Sequence, residues 1–364
     1  MNVVFILPGY PRVPGGGHKV VYQHANFLAR HGHDVQVLHL RPRKPGDAER
    51  RYWRVAALRL AYALGRHARP KWFSLDPRVS VRNASSQAVR YVRQCDVLVA
   101  TSARTAEFVA RAAPSVGARG YYFIQGFEDF AAKRGLVEAT WRLPLAKVVV
   151  SRWLADLAHS LGEDAVVAAN APDLDLFRPG RAMAERPLGL LSMVSDQPWK
   201  RTDLVCHVMA RLSEEWPEVE LHAFGVCARP EELPRSVSYR RSPSPGALAE
   251  AYGNARVFLF TSDSEGFGLP VAEALASGCA VVSTATEGVK SFAGDDVIYA
   301  PLGDGNALLA GVRRLLSDVE LCSRVASSGM ARVRAYGPDD AGMAFMAALM
   351  GDASSRERPL GEGE

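Results

Sequence analysis

The chain has 364 residues, more than one ordinary domain needs and well suited to two. Hydrophobic residues make up 48% and charged residues 23%, a globular balance, and no apolar run reaches the length of a membrane span. A net charge of +5 mildly favours anionic partners.

The five cysteines, Cys95, Cys206, Cys227, Cys279 and Cys322, are scattered, and none forms a C-x-x-C pair. Neither a zinc site nor a disulfide framework is suggested, and a reducing cytoplasm is the simple inference. Met1–Leu7 is apolar but lacks a basic leader and stops at Pro8-Gly9. It reads as a buried strand rather than a signal peptide.

Asn2–Leu7 is the first expected strand, followed by a turn over Gly9–Gly17 with Pro11, Pro14 and three consecutive glycines. His18–His31 has helical spacing, with Val21, Ala25, Leu28 and Ala29 on one face, and Val35–Leu40 reads as the second strand. This is the pattern of a Rossmann-like half. The glycines do not form G-x-G-x-x-G, and His39–Arg41 stand where a ribose-binding acid would end the second strand. A nicotinamide site is therefore disfavoured.

Arg41–Lys71 is dense in Arg and Lys and interleaves Tyr52, Trp53, Tyr62 and, just beyond it, Trp72; Ala48–His67 could form an amphipathic helix. Three readings of 41–72 stay open. It is a solvated insertion packed on the first domain, a membrane-surface helix, or a basic wall for an anionic acceptor or oligomer contact. No nucleic-acid motif accompanies it. Asp96–Ala100 and Arg119–Gln125 read as further strands, with a helix over Thr105–Ala112 between them. Ligands of open parallel sheets lie beyond the carboxyl ends of the strands, which makes Thr101, Ser102, Gln125 and Glu128 candidates for lining a cleft. Gln125 and Glu128 could equally cap strand and loop. Lys147–Ser151, a helix over Arg152–Leu161 and Val166–Ala169 follow, and the linker is expected at Gly180–Arg186.

The second half opens with a strand, Leu188–Val194, then Ser195–Arg201 and a helix from Asp203. Glu220–Gly225 and Val237–Tyr239 read as strands, Pro245–Ala255 as a helix. The informative stretch is Arg256–Ser283. Val257–Phe260 is a strand, Thr261–Gly268 a loop, Val271–Ser277 a helix led by Pro270 and stopped by Gly278, and Ala280–Ser283 the next strand. A glycine-bracketed turn opening onto a helix presents backbone N–H groups at the positive end of its dipole, which suits an anion. Yet Glu265 precedes the turn, and Glu273 is expected in the first helical turn. A ligand with both phosphates and sugar hydroxyls would account for both features. The plainer alternative is a first-turn acid that favours the dipole and a solvated loop glutamate. Val297–Ala300, Asn306–Leu316, Glu320–Ala335 and a helix over 337–350 complete the expected elements; 351–364 reads as a disordered tail.

Ser264–Gly278, SEGFGLPVAEALASG, closely resembles the E-x7-E signature of retaining glycosyltransferases of family 4 (group 1). The resemblance implies an α/β protein of the GT-B fold, with two Rossmann-like parallel-sheet domains facing across a cleft. The domains would be 1–180 on the acceptor side and 187–336 for the nucleotide sugar, with helix 337–350 crossing back to the first. It implies a nucleotide-diphosphate sugar donor, a hydroxyl acceptor, and neither cofactor nor metal. Residues carried over for the donor are Gly16, Gly17, Lys200, Arg201, Glu265, Gly266, Phe267, Gly268, Leu269 and Glu273, with Glu265 and Lys200 catalytic. His18, Thr101, Ser102, Gln125 and Glu128 fall on the acceptor side. Gln125-Gly126-Phe127-Glu128 resembles the Q-x-x-E stretch of a bacterial subgroup that includes polysaccharide rhamnosyltransferases. Asn170–Asp173 with Phe177–Pro179 resembles the family's N-G-V-D…F-x-P segment, with Ala171 and Pro172 as departures, and Thr286–Lys290 resembles its donor-closing loop. Ser195 stands where the family has a phosphate-binding Arg, so Arg201 is the candidate replacement. With the cytoplasm expected from the scattered cysteines, a membrane-surface helix at 41–72 would place the chain on the inner membrane face. The alternatives kept open are a degenerate nucleotide-sugar-binding protein and a nicotinamide oxidoreductase; a sugar phosphorylase of the same fold is disfavoured, because nothing in the sequence suggests a pyridoxal lysine.

Overall fold

The computed structural model describes residues 1–41, 60, 64, 69–84, 89–128 and 134–351. The chain divides into two compact units. The first contains Met1–Ala169 and the helical residues from Gly342 onward; the second is Asn170–Ala341.

The first unit is built on a seven-stranded parallel sheet. Its strands are β1 (Asn2–Pro8), β2 (Asp34–Leu40), β3 (Ser80–Ala84), β4 (Val97–Ala100), β5 (Arg119–Ile124), β6 (Ala146–Val149) and β7 (Ala165–Val167), in the order 3-2-1-4-5-6-7. Val3–Leu7 are almost wholly buried, as expected of a parallel strand covered on both faces. Helices α1 (Gly16–Arg30), α2 (Ala103–Ser115), α3 (Arg134–Trp141) and α4 (Arg152–Ser160) connect the strands. The strand β3, with Arg82 and Asn83 at its centre, is absent from the sequence reading. As an edge strand paired only with β2, it lacks the continuous apolar run that marks the others. Helix α3 also escapes that reading.

The second unit repeats the plan with six parallel strands, β8 (Gly189–Met193), β9 (Glu220–Gly225), β10 (Ser238–Arg241), β11 (Val257–Phe260), β12 (Ala280–Thr284) and β13 (Ile298–Ala300), ordered 10-9-8-11-12-13. Helices α5 (Thr202–Glu215), α6 (Pro245–Asn254), α7 (Leu269–Ala276), α8 (Glu287–Ala293), α9 (Gly305–Ser317) and α10 (Val319–Arg334) follow the strands. Its core joins Leu190, Val205, Met209, Val257, Leu259, Val282, Leu308 and Val312.

The units divide between Ala169 and Asn170, ahead of the boundary at 180 drawn from the sequence. The expected linker, Gly180–Arg186, is seated in the second unit. Met183 packs in its core, and the buried Arg186 donates to the carbonyls of Arg181, Ala255 and Ser277 at 3.0, 2.8 and 2.9 Å. Proline and charge at this segment signalled an anchored turn rather than a hinge. The expected helix at Ala48–His67 lies outside the described residues except for Leu60 and Leu64, which are helical and exposed. The tail beyond Gly351 lies outside them too. No helix among the described residues is long and apolar enough to cross a membrane.

The final helix, α11 (Pro338–Met350), supplies a piece of the first unit's core. Phe345 is fully buried, stacked on His24 with ring centroids 4.2 Å apart and in contact with Phe123 at 4.9 Å and Phe5 at 5.9 Å. The hydroxyl of Tyr121 donates to the Leu349 carbonyl at 2.9 Å. Truncation of Phe345 to Ala is expected to cost about 3–5 kcal/mol, the usual penalty for emptying a buried aromatic site, read as a lower denaturant midpoint.

Burial lowers the pKa of His24 from 6.5 to about 3, and burial with the charge of neighbouring His18 does the same to His39. Because the unfolded chain takes up these protons first, the stability present above pH 6.5 is lost as pH falls toward 3. Each imidazole should cost about 2 kcal/mol between pH 7 and pH 5. Denaturant unfolding at the two pH values measures the drop, and equal stability at both would exclude buried neutral imidazoles as its source.

Candidate active site

In the second sheet the strand order reverses between β8 and β11, the place where open parallel sheets have their ligand crevice, beyond the carboxyl ends of the strands. The β8 loop runs through Ser195 to a short turn over Pro198–Lys200. Ser195 and Thr202 close this loop reciprocally: the Ser195 amide donates to Thr202 Oγ1 at 2.9 Å, and that hydroxyl donates to the Ser195 carbonyl at 2.7 Å. The β11 loop is laced to the same turn. The Thr261 hydroxyl donates to the Lys200 carbonyl at 2.9 Å, and the Asp263 amide donates to the Trp199 carbonyl at 2.8 Å.

These bonds bring Lys200 and Glu265 together. Lys200 Nζ donates to Glu265 Oε1 at 2.5 Å and lies 5.8 Å from the centre of the Phe260 ring. The lysine side chain is 19% exposed and the glutamate 12%, so solvent screens the pair weakly. Arg201 behaves differently. Its backbone is left-handed, with φ 50° and ψ 51°, and its guanidinium donates to Asp203 at 2.8–2.9 Å and to Asp263 at 3.2 Å. Those two carboxylates push its pKa further up, after which its charge is already compensated. The expected substitute for the arginine missing at Ser195 thus faces aspartates that the sequence reading did not connect with it.

Gly268 caps α7 with φ 102°, a conformation that L side chains rarely adopt, and a Cβ there would lie 2.7 Å from Val289 Cγ2. Helix α7 therefore starts at Leu269, earlier than its composition suggested. Glu273 consequently falls in the second turn, not the first, and a simple first-turn dipole role no longer describes it. Its side chain is 5% exposed on the inner side of the helix, beside the fully buried Tyr252 of α6. Burial first, then the Glu273 charge, raises the Tyr252 phenol well above 10. Phe267 stacks on Phe292 at 4.3 Å and is buried, so its ring anchors the loop. Gly266 and Leu269 flank it, both partly exposed.

Thr286–Lys290, expected as a loop, instead caps and opens α8. Its glycine has a role that the sequence did not reveal. A Cβ on Gly288 would sit 2.4 Å from the Glu265 carbonyl oxygen, so the bare glycine lets α8 buttress the Glu265 backbone. The hydroxyls of Ser262 and Thr286, both buried, have no hydrogen-bond partner among the described residues.

The first unit has a reversal of its own, between β1 and β4. Gly15 is the extended N-cap of α1, so Gly16, Gly17 and His18 form its first turn rather than a loop. Gln125 Nε2 donates to the Gly17 carbonyl at 3.1 Å, and His18 Nε2 lies 3.4 Å from the Gly9 carbonyl. Burial lowers the His18 pKa, leaving a neutral ring at neutral pH that donates from Nε2. The Thr101 hydroxyl is buried and donates to the Ile6 carbonyl at 2.9 Å. Ser102 donates to Glu128 Oε2 at 2.8 Å, and the same oxygen accepts from the Ala103 amide at 3.1 Å. Glu128 and Ser102 thus cap α2, and burial raises the Glu128 pKa against the pull of those bonds. Behind this rim, Tyr22 donates to His39 Nε2 at 2.7 Å and His39 Nδ1 donates to Asn83 Oδ1 at 3.0 Å, a relay that the sequence reading missed because its third member lies on β3. Among the described residues, no group of three or more His, Cys, Asp or Glu is placed to hold a metal.

Residues 177–332 match the family described as glycosyl transferases group 1. The chain is 30% identical over 239 residues to a D-inositol 3-phosphate glycosyltransferase of Kineococcus radiotolerans, a match that covers 56% of this chain and 55% of that relative. Among solved structures, sucrose-phosphate synthase from Thermosynechococcus elongatus superposes with a TM-score of 0.74 at 15% identity, covering 98% of this chain and all of that one. HepE from Anabaena, solved in complex with UDP-glucose, gives the same score and identity over 96% of this chain and all of its own. The two parallel-sheet units and these neighbours establish the GT-B fold.

Substituting Gly288 by Ala should push the α8 turn off the Glu265 carbonyl and lower stability by about 1–3 kcal/mol, the range for overpacked sites. Unfolding by denaturant measures it, and an unchanged midpoint would show that the loop yields freely.

Proposed function

We propose that the chain is a retaining glycosyltransferase that moves a sugar from a nucleoside-diphosphate sugar to a hydroxyl of a glycan, lipid-linked or natural-product acceptor. The observation that carries the reading is the grouping of Lys200, Glu265, the Gly268-capped helix and Glu273 at the strand reversal of the second sheet. The group 1 match over these same residues and the UDP-glucose complex of HepE support it.

In this scheme the diphosphate lies against Lys200 and the amides of Gly266–Leu269, where α7 directs its positive end. Glu265 accepts from the donor sugar hydroxyls and Glu273 from the ribose. The acceptor attacks from the face the leaving group occupies, and the leaving phosphate takes its proton. No protein nucleophile is needed, and no metal enters any step. Charge developing on the departing diphosphate is what Lys200 stabilises, so its removal should act mainly on turnover. On the acceptor side, Gln125, Glu128, His18 and the first turn of α1 are the residues assigned. Action at the cytoplasmic membrane face through 41–72, and kinship with the rhamnosyltransferase subgroup through Gln125–Glu128, belong to the same proposal.

One observation favours a second reading. With Ser195 in place of an arginine and Arg201 held by two aspartates, the chain could bind a nucleotide sugar without turning it over. A thermal-shift screen with UDP, GDP, dTDP and their sugars beside NAD tests binding, because a ligand of the folded state raises its stability. A shift of several degrees from one nucleotide family, lost in Glu273→Ala, is expected. A shift from NAD alone, or none, rejects the reading. Release of nucleoside diphosphate from the stabilising sugar nucleotide then separates a transferase from a binding protein.

A further inference from the structure

We propose that the Lys200–Glu265 ion pair is a selectivity filter that favours the intact nucleotide sugar over the free nucleoside diphosphate. This rests on the donor site proposed above. Each residue is the other's only charged partner among the described residues, at 2.5 Å and with both side chains mostly buried. Removing one member from such a pair strands the other's charge in a poorly solvated place. Among the described residues, the adjacent cation is not available to take Lys200's part. Arg201, next in the chain, is held by Asp203 and Asp263 and keeps a strained left-handed backbone while doing so.

The two ligands therefore meet different costs. A free nucleoside diphosphate that draws Lys200 away leaves the Glu265 carboxylate without its cation and close to the incoming negative charge. A nucleotide sugar draws Lys200 to its diphosphate and offers hydroxyl donors to Glu265 in the same event. Only a ligand carrying both chemistries completes the exchange, and selectivity is the difference between these two affinities. Once the sugar has been transferred, the hydroxyls leave with it. Glu265 then competes with the diphosphate for Lys200, and product release follows from the chemistry itself.

The test is a titration of UDP and UDP-glucose, and in parallel GDP and GDP-mannose, into the wild type, Glu265→Gln, Lys200→Gln and the double variant. Glu265→Gln should bind the free diphosphate about tenfold more tightly, while its affinity for the nucleotide sugar stays level or falls. In the Lys200→Gln background the same substitution should bring little gain. Should Glu265→Gln unfold, Glu265→Ala in both backgrounds reads the same difference. A diphosphate affinity that is unchanged or weaker without Glu265 overturns the filter. So does an equal gain in both backgrounds, because Glu265 would then act only by repelling phosphate. Failure of every nucleotide to bind any of the four proteins rejects the donor site and the filter together, whereas wild-type binding with an unaltered preference in the variants rejects the filter alone.

Discussion

The structure of the second unit depends on one constraint: two adjacent parallel strands must send their chains in opposite directions. From that divide between β8 and β11 the loops could wander. They do not, because the Thr261 hydroxyl and the Asp263 amide are bonded to successive carbonyls of the Lys200 turn. Bonds to backbone carbonyls, which folding must satisfy in any case, thereby set the distance between a lysine and a glutamate far apart in sequence. The side-chain ion pair is a consequence of that lacing. Helix α8 adds a second constraint from below, since only a glycine at 288 leaves room for the Glu265 carbonyl.

Much of this was legible in the residues. Short apolar runs between glycine and proline punctuation marked most of the strands, because a parallel strand covered on both faces needs them. The string around Glu265 and Glu273 marked the candidate site, because Gly268 shapes the turn and the helix start that lie between the two acids. What stayed hidden has a common physical origin. Strand β3 and the His39–Asn83 bond require knowledge of which strands are neighbours, and polar edge residues carry no periodic signal. The start of α7 was displaced because a left-handed glycine N-cap lets Leu269 join the helix, which moved Glu273 inward by part of a turn. The commitment of Arg201 to Asp203 and Asp263 was equally invisible, since one partner is local and the other comes from a different loop. Sequence spacing reports local geometry well and the pairing of charges across loops poorly.

Lys200 and Arg201 are consecutive cations, yet each is neutralised by its own acids. Their difference lies in valence. Arg201, with two carboxylates, is fixed in place as part of the framework. Lys200, with one, has a single ion-pair partner among the described residues.

The last helix has a meaning for how the molecule comes into being. Among the described residues the second unit is one continuous stretch of chain, Asn170–Ala341. The first unit is not: its core lacks Phe345 until the end of the chain emerges, and until then His24 and Phe123 lack the ring that covers them. During synthesis the half that is made first must therefore be finished last.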